Sequence, residues 1–300
     1  MIGTRFLSHL IEINPSIKVR CLARRIPVGP QHKNIHWVQG DLLNESDCEE
    51  FVAGLQTIAH FAQSNAPAIS DRHWPSDFVT NVPPTLNLLA ALRKRKEPPC
   101  HLVFPSSGGA VYGNHPDKDY VFTEKDQCHP LSPYGIQKLA IEQYLRIACD
   151  QGWLKSTILR IGNTYGTILP NERRQGLIGV AIARALAGQK IPIFGSLDIT
   201  RDYIHVDDVV SAFIKSMDYA KDFDIFNIAS ARGHSVKEVL DIIKKFIDPN
   251  IKTENSVFGN AVLSLVPRVV LSNEKAYQEL NWQPKIELES GIISIINYSK

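Results

Sequence analysis

The sequence predicts an α/β fold centred on a doubly wound parallel sheet. Two features of the chain carry that reading: strand and helix signals alternate through the first half, and the second half loses this regularity. Helical stretches fall at 6–13, 45–55, 85–96 and 134–150, and strand signals at 18–23, 35–38, 57–61 and 101–105. A further strand is expected at 157–161. Repeated strand–helix units bury a parallel sheet under helices on both faces. Right-handed crossovers then make the winding Rossmann-type. In the second half, 176–187 reads as an apolar helix ending at Gly188. Helices are also expected at 207–217 and 235–246, the latter capped by Ser235. Residues 224–228 read as a strand returning to the sheet.

Composition narrows the function classes. The apolar fraction is that of a water-soluble globular protein, and a formal net charge of +2 argues for neither nucleic acid nor an acidic membrane surface as partner. The basic run Arg93-Lys94-Arg95-Lys96 precedes Pro98-Pro99 and reads as a solvated helix end. The five cysteines are scattered, with no C-x-x-C pair. Reduced thiols, a cytoplasmic location and no metal site are therefore expected. No run of eighteen uncharged apolar residues suggests a membrane span, and nothing at the N-terminus reads as a signal peptide.

The stretch Ser132-Pro133-Tyr134-Gly135-Ile136-Gln137-Lys138 carries the most chemistry. Positions i and i+4 of a helix share a face, so Tyr134 and Lys138 are neighbours. An ammonium beside a phenol favours the phenolate. Lowering a tyrosine pKa by about three units takes roughly 4 kcal/mol, which a nearby cation in a partly dry site can largely supply. The expected result is a proton-transfer group working near neutral pH.

Further motifs stand in order around this pair. They are Gly40-Asp41-Leu42, His60-Phe61-Ala62-Gln63, Asn81 before Thr85, Ser106-Ser107-Gly108-Gly109-Ala110-Val111-Tyr112-Gly113, Leu159–Gly166 and Thr200–Asp208. Taken singly, Asp41 and Asn81 read equally as helix caps, Arg201 as a solvated charge and Asn163 as a turn residue. Together and in this order they resemble the extended short-chain dehydrogenase/reductase family. More narrowly, the chain resembles the NAD-dependent epimerase/dehydratase enzymes that act on nucleotide sugars, over essentially its whole length. The resemblance implies a dinucleotide-binding domain of residues 1-165 plus 198-230. It implies a smaller C-terminal substrate domain of residues 166-197 plus 231-300. It places Gly3, Arg24, Asp41, Leu42, Ala62, Asn81, Tyr134 and Lys138 at NAD, with NADP as the alternative. It makes Ser107, Tyr134 and Lys138 catalytic, and puts Asn163, Leu177, Arg201, Arg268 and Val269 at the nucleotide-sugar substrate.

Three departures qualify it. Family members open with a strand and T-G-x-x-G-x-x-G, whose backbone N–H groups hold the pyrophosphate. Here Met1-Ile2-Gly3 aligns with the final x-x-G alone. The first strand and most of the Gly-rich loop are thus expected to be missing, as in a fragment or in a shortened non-catalytic relative, and the chain is expected to fold poorly. Second, Leu22-Ala23-Arg24-Arg25 carries no carboxylate for the ribose hydroxyls, and its guanidiniums suit a 2′-phosphate. Third, the family's Arg-x-x-Asp-Val-Pro reads Val262-Leu263-Ser264-Leu265-Val266-Pro267, which leaves the diphosphate to Arg201 with Arg268 as partial substitute.

The resemblance implies a transient oxidation. Tyr134 takes the proton of the sugar 4-hydroxyl as hydride passes to the nicotinamide; the 4-ketose turns over and hydride returns to its other face. Lys138 lowers the Tyr134 pKa and holds the nicotinamide ribose, while Ser107 orders the proton path, the family's usual hydroxyl aligning with Gly108. Gly109 and Ala110 stand where 4,6-dehydratases carry Asp and Glu, so epimerisation or ketosugar reduction is expected instead. A homodimer through the helices 85–96 and 134–150 is also implied, with Leu86, Leu89, Leu139 and Leu145 as candidate contacts. Val269 aligns near the sugar 2-substituent and leaves room for an acetamido group.

Overall fold

The computed structural model describes residues 2–26, 32–63, 74–170, 176–256 and 266–298. Val262 and Leu265, and Met1 before Ile2, lie outside them. In chain order the elements of the first half are α1 (Ile2–Ile13), β1 (Val19–Ala23), β2 (Ile35–Gln39), α2 (Glu45–Val52), β3 (Thr57–Ala59), α3 (Trp74–Lys94), β4 (Cys100–Ser107), α4 (Gly108–Val111), α5 (Pro133–Asp150) and β5 (Leu154–Ile161). The second half adds β6 (Asn163–Tyr165), α6 (Leu177–Leu186), β7 (Ile191–Phe194), β8 (Thr200–His205), α7 (Val206–Ser216), β9 (Phe223–Ile228), β10 (Gly233–Ser235), α8 (Val236–Phe246), β11 (Thr253–Ser256), β12 (Arg268–Val269), α9 (Glu274–Leu280) and α10 (Leu288–Tyr298).

The expected parallel winding is present. Strands β3, β4, β5 and β9 lie side by side in that order, every pair parallel. Along β4 the side chains alternate between two cores, as a strand's period of two requires. Leu102 and Phe104 join Leu88, Ile141, Leu145 and Ile158 beneath α3 and α5. Val103 joins Phe6, Leu10, Val209 and Phe213 beneath α1 and α7. Buried on both faces, β4 reads as a near-continuous apolar run. Strands β1 and β2 pair in parallel as a separate two-stranded sheet. Between β1 and β3 lies a cavity of about 850 Å³, walled by Phe6 and Leu10 on one side and Phe51 and Leu88 on the other.

A third core gathers α6, α8 and α10 around Ile182, Tyr203, Ile243 and Ile292. Ser235 caps α8 as expected, and Glu238 completes a capping box with it. No described helix is long and apolar enough to cross a membrane.

The largest departure from expectation is α3, which starts at Trp74 and runs through Pro83 and Pro84. Each proline deprives the carbonyl four residues back of a donor. One of those carbonyls belongs to Val79, which is half exposed and can turn to water. Asn81 therefore sits inside the helix and is buried; it does not open it.

Candidate active site

Local sequence builds the corner where β4 meets α5. Ser132 caps α5 by accepting from the Gly135 N–H at 3.2 Å, and Pro133 pre-sets the first turn. Gly135 is required by close approach, since a Cβ there would stand 2.4 Å from the Ala110 carbonyl oxygen. The helix N-terminus thus presses on α4, and the Ser107 side chain faces Tyr134 closely enough to favour its phenolate. One turn on, Lys138 is 4 % exposed. Its ammonium donates to the Pro105 carbonyl at 2.6 Å, 4.8 Å from the Phe104 ring centre and 5.6 Å from that of Tyr134.

Burial governs the charges of this pair. It pushes the Tyr134 phenol up to about 12, Ser107 opposing it, and pushes Lys138 down to about 7 against the pull of Glu142. This corrects the expectation of a lysine-lowered phenol. Desolvation disfavours the charged form of both groups, and the ammonium is directed at a carbonyl. The group that titrates near neutrality is the lysine.

A Cβ on Gly108 would lie 2.3 Å from the Leu271 Cδ1, and the hydroxyl that stands beside it is that of Ser107, which ends β4 and opens α4.

The residues expected at the cofactor divide between two places. Gly3, Arg24, Asp41, Leu42 and Ala62 all line the cavity between β1 and β3. Asp41 also has its local role, accepting from the Leu43 N–H at 3.0 Å. Two donors on the lining, Trp37 Nε1 and Gln63 Nε2, are buried without a hydrogen-bond partner among the described residues. Asn81 lies instead at the α3–α5 contact, donating to Asp77 Oδ1 and Gln137 Oε1 at 3.2 Å each. His60 joins the two places. It lines the cavity, bonds Thr85 Oγ1 at 3.0 Å and is pushed down to about 4 by burial and by Lys138.

The expected substrate residues meet mostly on one small sheet. Strands β6, β10 and β12 all pair with β8. Asn163 stands opposite Tyr203, Arg268 opposite Thr200, and Val269 opposite Arg201. Asn163 Oδ1 is 3.1 Å from where a Cβ on Gly109 would stand, so it touches the Ser107 turn. Arg201 donates to its neighbour's carbonyl at 2.8 Å, and burial lowers its pKa. Arg268 donates to the Tyr120 carbonyl. Val269 is 3 % exposed and packs with Val111, Tyr112 and Leu271, directly behind the turn. Leu177 stands apart, packed against the third core.

Sequence reasoning missed four buried polar residues: Asp77, Gln137, Glu142 and Arg160. Gln137 Nε2 donates to Asp77 Oδ2 at 2.6 Å. Glu142 and Arg160 form an ion pair at 2.6 Å with exposures of 0 % and 5 %. The i, i+4 spacings Asp77–Asn81 and Lys138–Glu142 were the available signals.

Residues 1–229 match the family model described as the NAD dependent epimerase/dehydratase family. The chain is 31 % identical over 243 residues to the dTDP-4-dehydro-6-deoxyglucose reductase of Escherichia coli, covering 81 % of this chain and 74 % of that one. It is 31 % identical over 248 residues to the UDP-glucose 4-epimerase of Mycolicibacterium smegmatis, covering 81 % and 75 %. Among solved structures, the Thermotoga maritima UDP-glucose 4-epimerase with UDP-glucose superposes with a TM-score of 0.87 at 29 % identity, covering 100 % of this chain and 95 % of that one.

Proposed function

The chain belongs to the NAD-dependent epimerase/dehydratase family, and from that premise we propose that it is a nucleotide-sugar 4-epimerase of the UDP-glucose/UDP-N-acetylglucosamine type. The observation that carries the reading is the corner at the end of β4, where Ser107, Tyr134 and Lys138 converge and no carboxylate follows on α4. A turn of Gly108, Gly109, Ala110 and Val111 offers no acid or base for expelling water, which disfavours dehydration.

The cavity residues fit the family's cofactor. Gly40 faces the cavity where a Cβ would meet Leu22 and Asp47 at 2.8 and 3.0 Å, and the unpartnered Trp37 and Gln63 donors suit a polar, multiply oxygenated ligand. The cavity runs the length of β1 and β3, and Arg24, Asp41, Ala62 and Gln63 line its end at the carboxyl termini of the strands, where open α/β sheets hold ligands. In this reading Gly3, Arg24, Asp41, Leu42 and Ala62 hold the dinucleotide, which when bound supplies the hydride acceptor and donor, and Asn81 braces α5 from α3 through Gln137. Lys138 holds its ribose. Tyr134 passes its own proton toward the neutral Lys138 amine as it receives that of the sugar 4-hydroxyl, and the return transfer restores both, along a path ordered by Ser107. Because Lys138 titrates near neutrality beside a buried phenol, the pair is the working proton carrier. Asn163, Arg201 and Arg268 bind the sugar nucleotide, with Leu177 on the rim and Val269 behind the sugar.

We take residues 1-165 plus 198-230 as the dinucleotide domain and the remainder as the substrate domain. We further propose a homodimer. Its contact is the exposed apolar stripe of Trp74, Phe78 and Val79 on α3 with Ile136, Tyr144 and Ile147 on α5. The sequence candidates do not serve: Leu89 and Leu145 are buried in the chain's own core, and Leu86 and Leu139 pack against it and the neighbouring cluster.

Ketosugar reduction is the second reading. It is favoured by Arg24 and Arg25 at the end of β1 and by the similarity to a reductase. Proton NMR of UDP-glucose with the protein and millimolar NAD separates the two. UDP-galactose formed with catalytic cofactor supports epimerisation. Oxidation of NADPH in step with a 4-ketosugar, with no epimer, supports reduction.

A further inference from the structure

Helix α5 grips the end of β4 with three successive turns of one face. Tyr134 faces Ser107, Lys138 donates to the Pro105 carbonyl, and Glu142 accepts from Ser106 Oγ. Residues 134, 138 and 142 are spaced i, i+4, i+8 and so share that face. Glu142 is fully buried and also accepts from Arg160 Nε at 3.2 Å and Nη2 at 2.6 Å. Arg160 continues to the Tyr112 hydroxyl at 3.1 Å, which donates to Asn227 Oδ1 at 2.7 Å. The proton transfer proposed above uses none of this chain. A buried ion pair is a costly way to hold two elements together, since well-packed apolar side chains usually do as well or better. Its retention beside Lys138 therefore calls for another role.

We infer that Glu142 is a positioning residue: through Ser106 it fixes the end of β4 against Tyr134, and its carboxylate sets the charge of Lys138. This rests on the reading of Tyr134 and Lys138 as the proton carrier. The groups facing the pair from other elements are Arg160 on β5, Tyr112 after α4, Cys128 in the loop before α5, His60 after β3 and Asp77 on α3. Tyr112 and Cys128 are pushed up by burial and His60 is pushed down, so these three are neutral near pH 7. Glu142 is the group that opposes the effect of burial on Lys138. Without its carboxylate, Lys138 loses its proton at lower pH.

The test is a ¹⁵N NMR titration of the Lys138 ammonium, assigned by its disappearance in Lys138→Arg. Glu142→Gln is expected to move the midpoint down by about one pH unit or more. Arg160→Gln, which leaves Lys138 as the nearest cation to Glu142, is expected to move it up. The opposite signs let either variant decide alone if the other does not fold. Ser106→Ala cuts the grip and leaves the charges, so turnover falls with the midpoint in place. Where turnover is measurable, the acid limb of the kcat/KM profile follows the midpoint. A midpoint unmoved in the folded charge variants overturns the inference. The titration needs no turnover, so it is separable from the functional reading. A moved midpoint with turnover indifferent to Tyr134→Phe retires the function and keeps the network; an unmoved midpoint with Tyr134 essential does the reverse.

Discussion

The corner between β4 and α5 and the cleft between β1 and β3 are built to different standards. At the corner, β4 and β5 run in register over eight residue pairs, and Ser106, Glu142, Arg160, Tyr112 and Asn227 satisfy one another in an unbroken chain. At the cleft, two sheets face each other across a cavity, and the donors of Trp37 and Gln63 have no partner among the described residues. Buried polar groups in a satisfied network hold a geometry; unsatisfied ones mark where a partner belongs. The difference teaches that the chemistry and the hold on the cofactor are separable. The chain fixes its proton-transfer geometry with its own side chains, but leaves the cleft donors of Trp37 and Gln63 to a ligand.

The largest expected effect tests the corner. With NAD and sugar nucleotide both saturating, Tyr134→Phe should lower turnover by at least about 10²-fold, the scale of losing an acid/base group. Sugar-nucleotide affinity should change little. Lys138→Ala should in addition weaken NAD binding, measured by calorimetry; an unchanged affinity would remove Lys138 from the ribose. The next tests the cleft. In isothermal titration with NAD, Gln63→Leu, which removes an unpartnered donor of the cleft, should weaken binding by about tenfold. Unchanged affinity would erase the contrast between the two regions.

A third prediction concerns pH. Lys138 is pushed down to about 7 in the fold, so between there and the unfolded value of about 10.4 the unfolded chain binds the extra proton. Stability contributed by this site must therefore rise with pH across that window. Below it, the buried ammonium costs the fold roughly 3–5 kcal/mol. Lys138→Met should then be the more stable protein at pH 6 in urea unfolding, and its advantage should shrink toward pH 10. A constant difference would mean that Lys138 keeps an ordinary pKa.

How much of this was legible in the sequence differs between the same two regions. Tyr134 and Lys138 announce themselves because a helix converts i, i+4 spacing directly into proximity. The partners that fix them do not. Glu142 and Arg160 are 18 positions apart on a helix and a strand, and only the packing of α5 on the sheet brings them together. Asn81 reads from the sequence as a helix cap, yet α3 starts seven residues earlier at Trp74. Tertiary packing carries α3 through Pro83 and Pro84. Strands β1 to β5 and β9 were legible from their apolar runs, whereas β6, β7, β8, β10, β11 and β12, of two to six residues each, were not, and the separation of β1 from β3 is a property of pairing that no single segment encodes.

The smallest expected effect lies behind the corner. Val269 packs against Val111 and Tyr112, so Val269→Tyr should overpack that cluster, costing about 1–3 kcal/mol, and narrow the space for a sugar 2-substituent. Side-by-side assays should show the variant losing UDP-N-acetylglucosamine turnover more than UDP-glucose turnover. Equal losses would assign Val269 to the core alone.

The central claim is that the Tyr134–Lys138 corner works on a sugar carbon that is oxidised and then reduced within one binding event. UDP-glucose deuterated at C4, incubated with this chain and millimolar NAD in ordinary water, tests it directly by NMR and mass spectrometry of the products. The account predicts UDP-galactose with its deuterium kept at C4, and none formed by Tyr134→Phe. Epimer that has exchanged its deuterium with water, or no epimer at a cofactor concentration that fills the cleft, would contradict it.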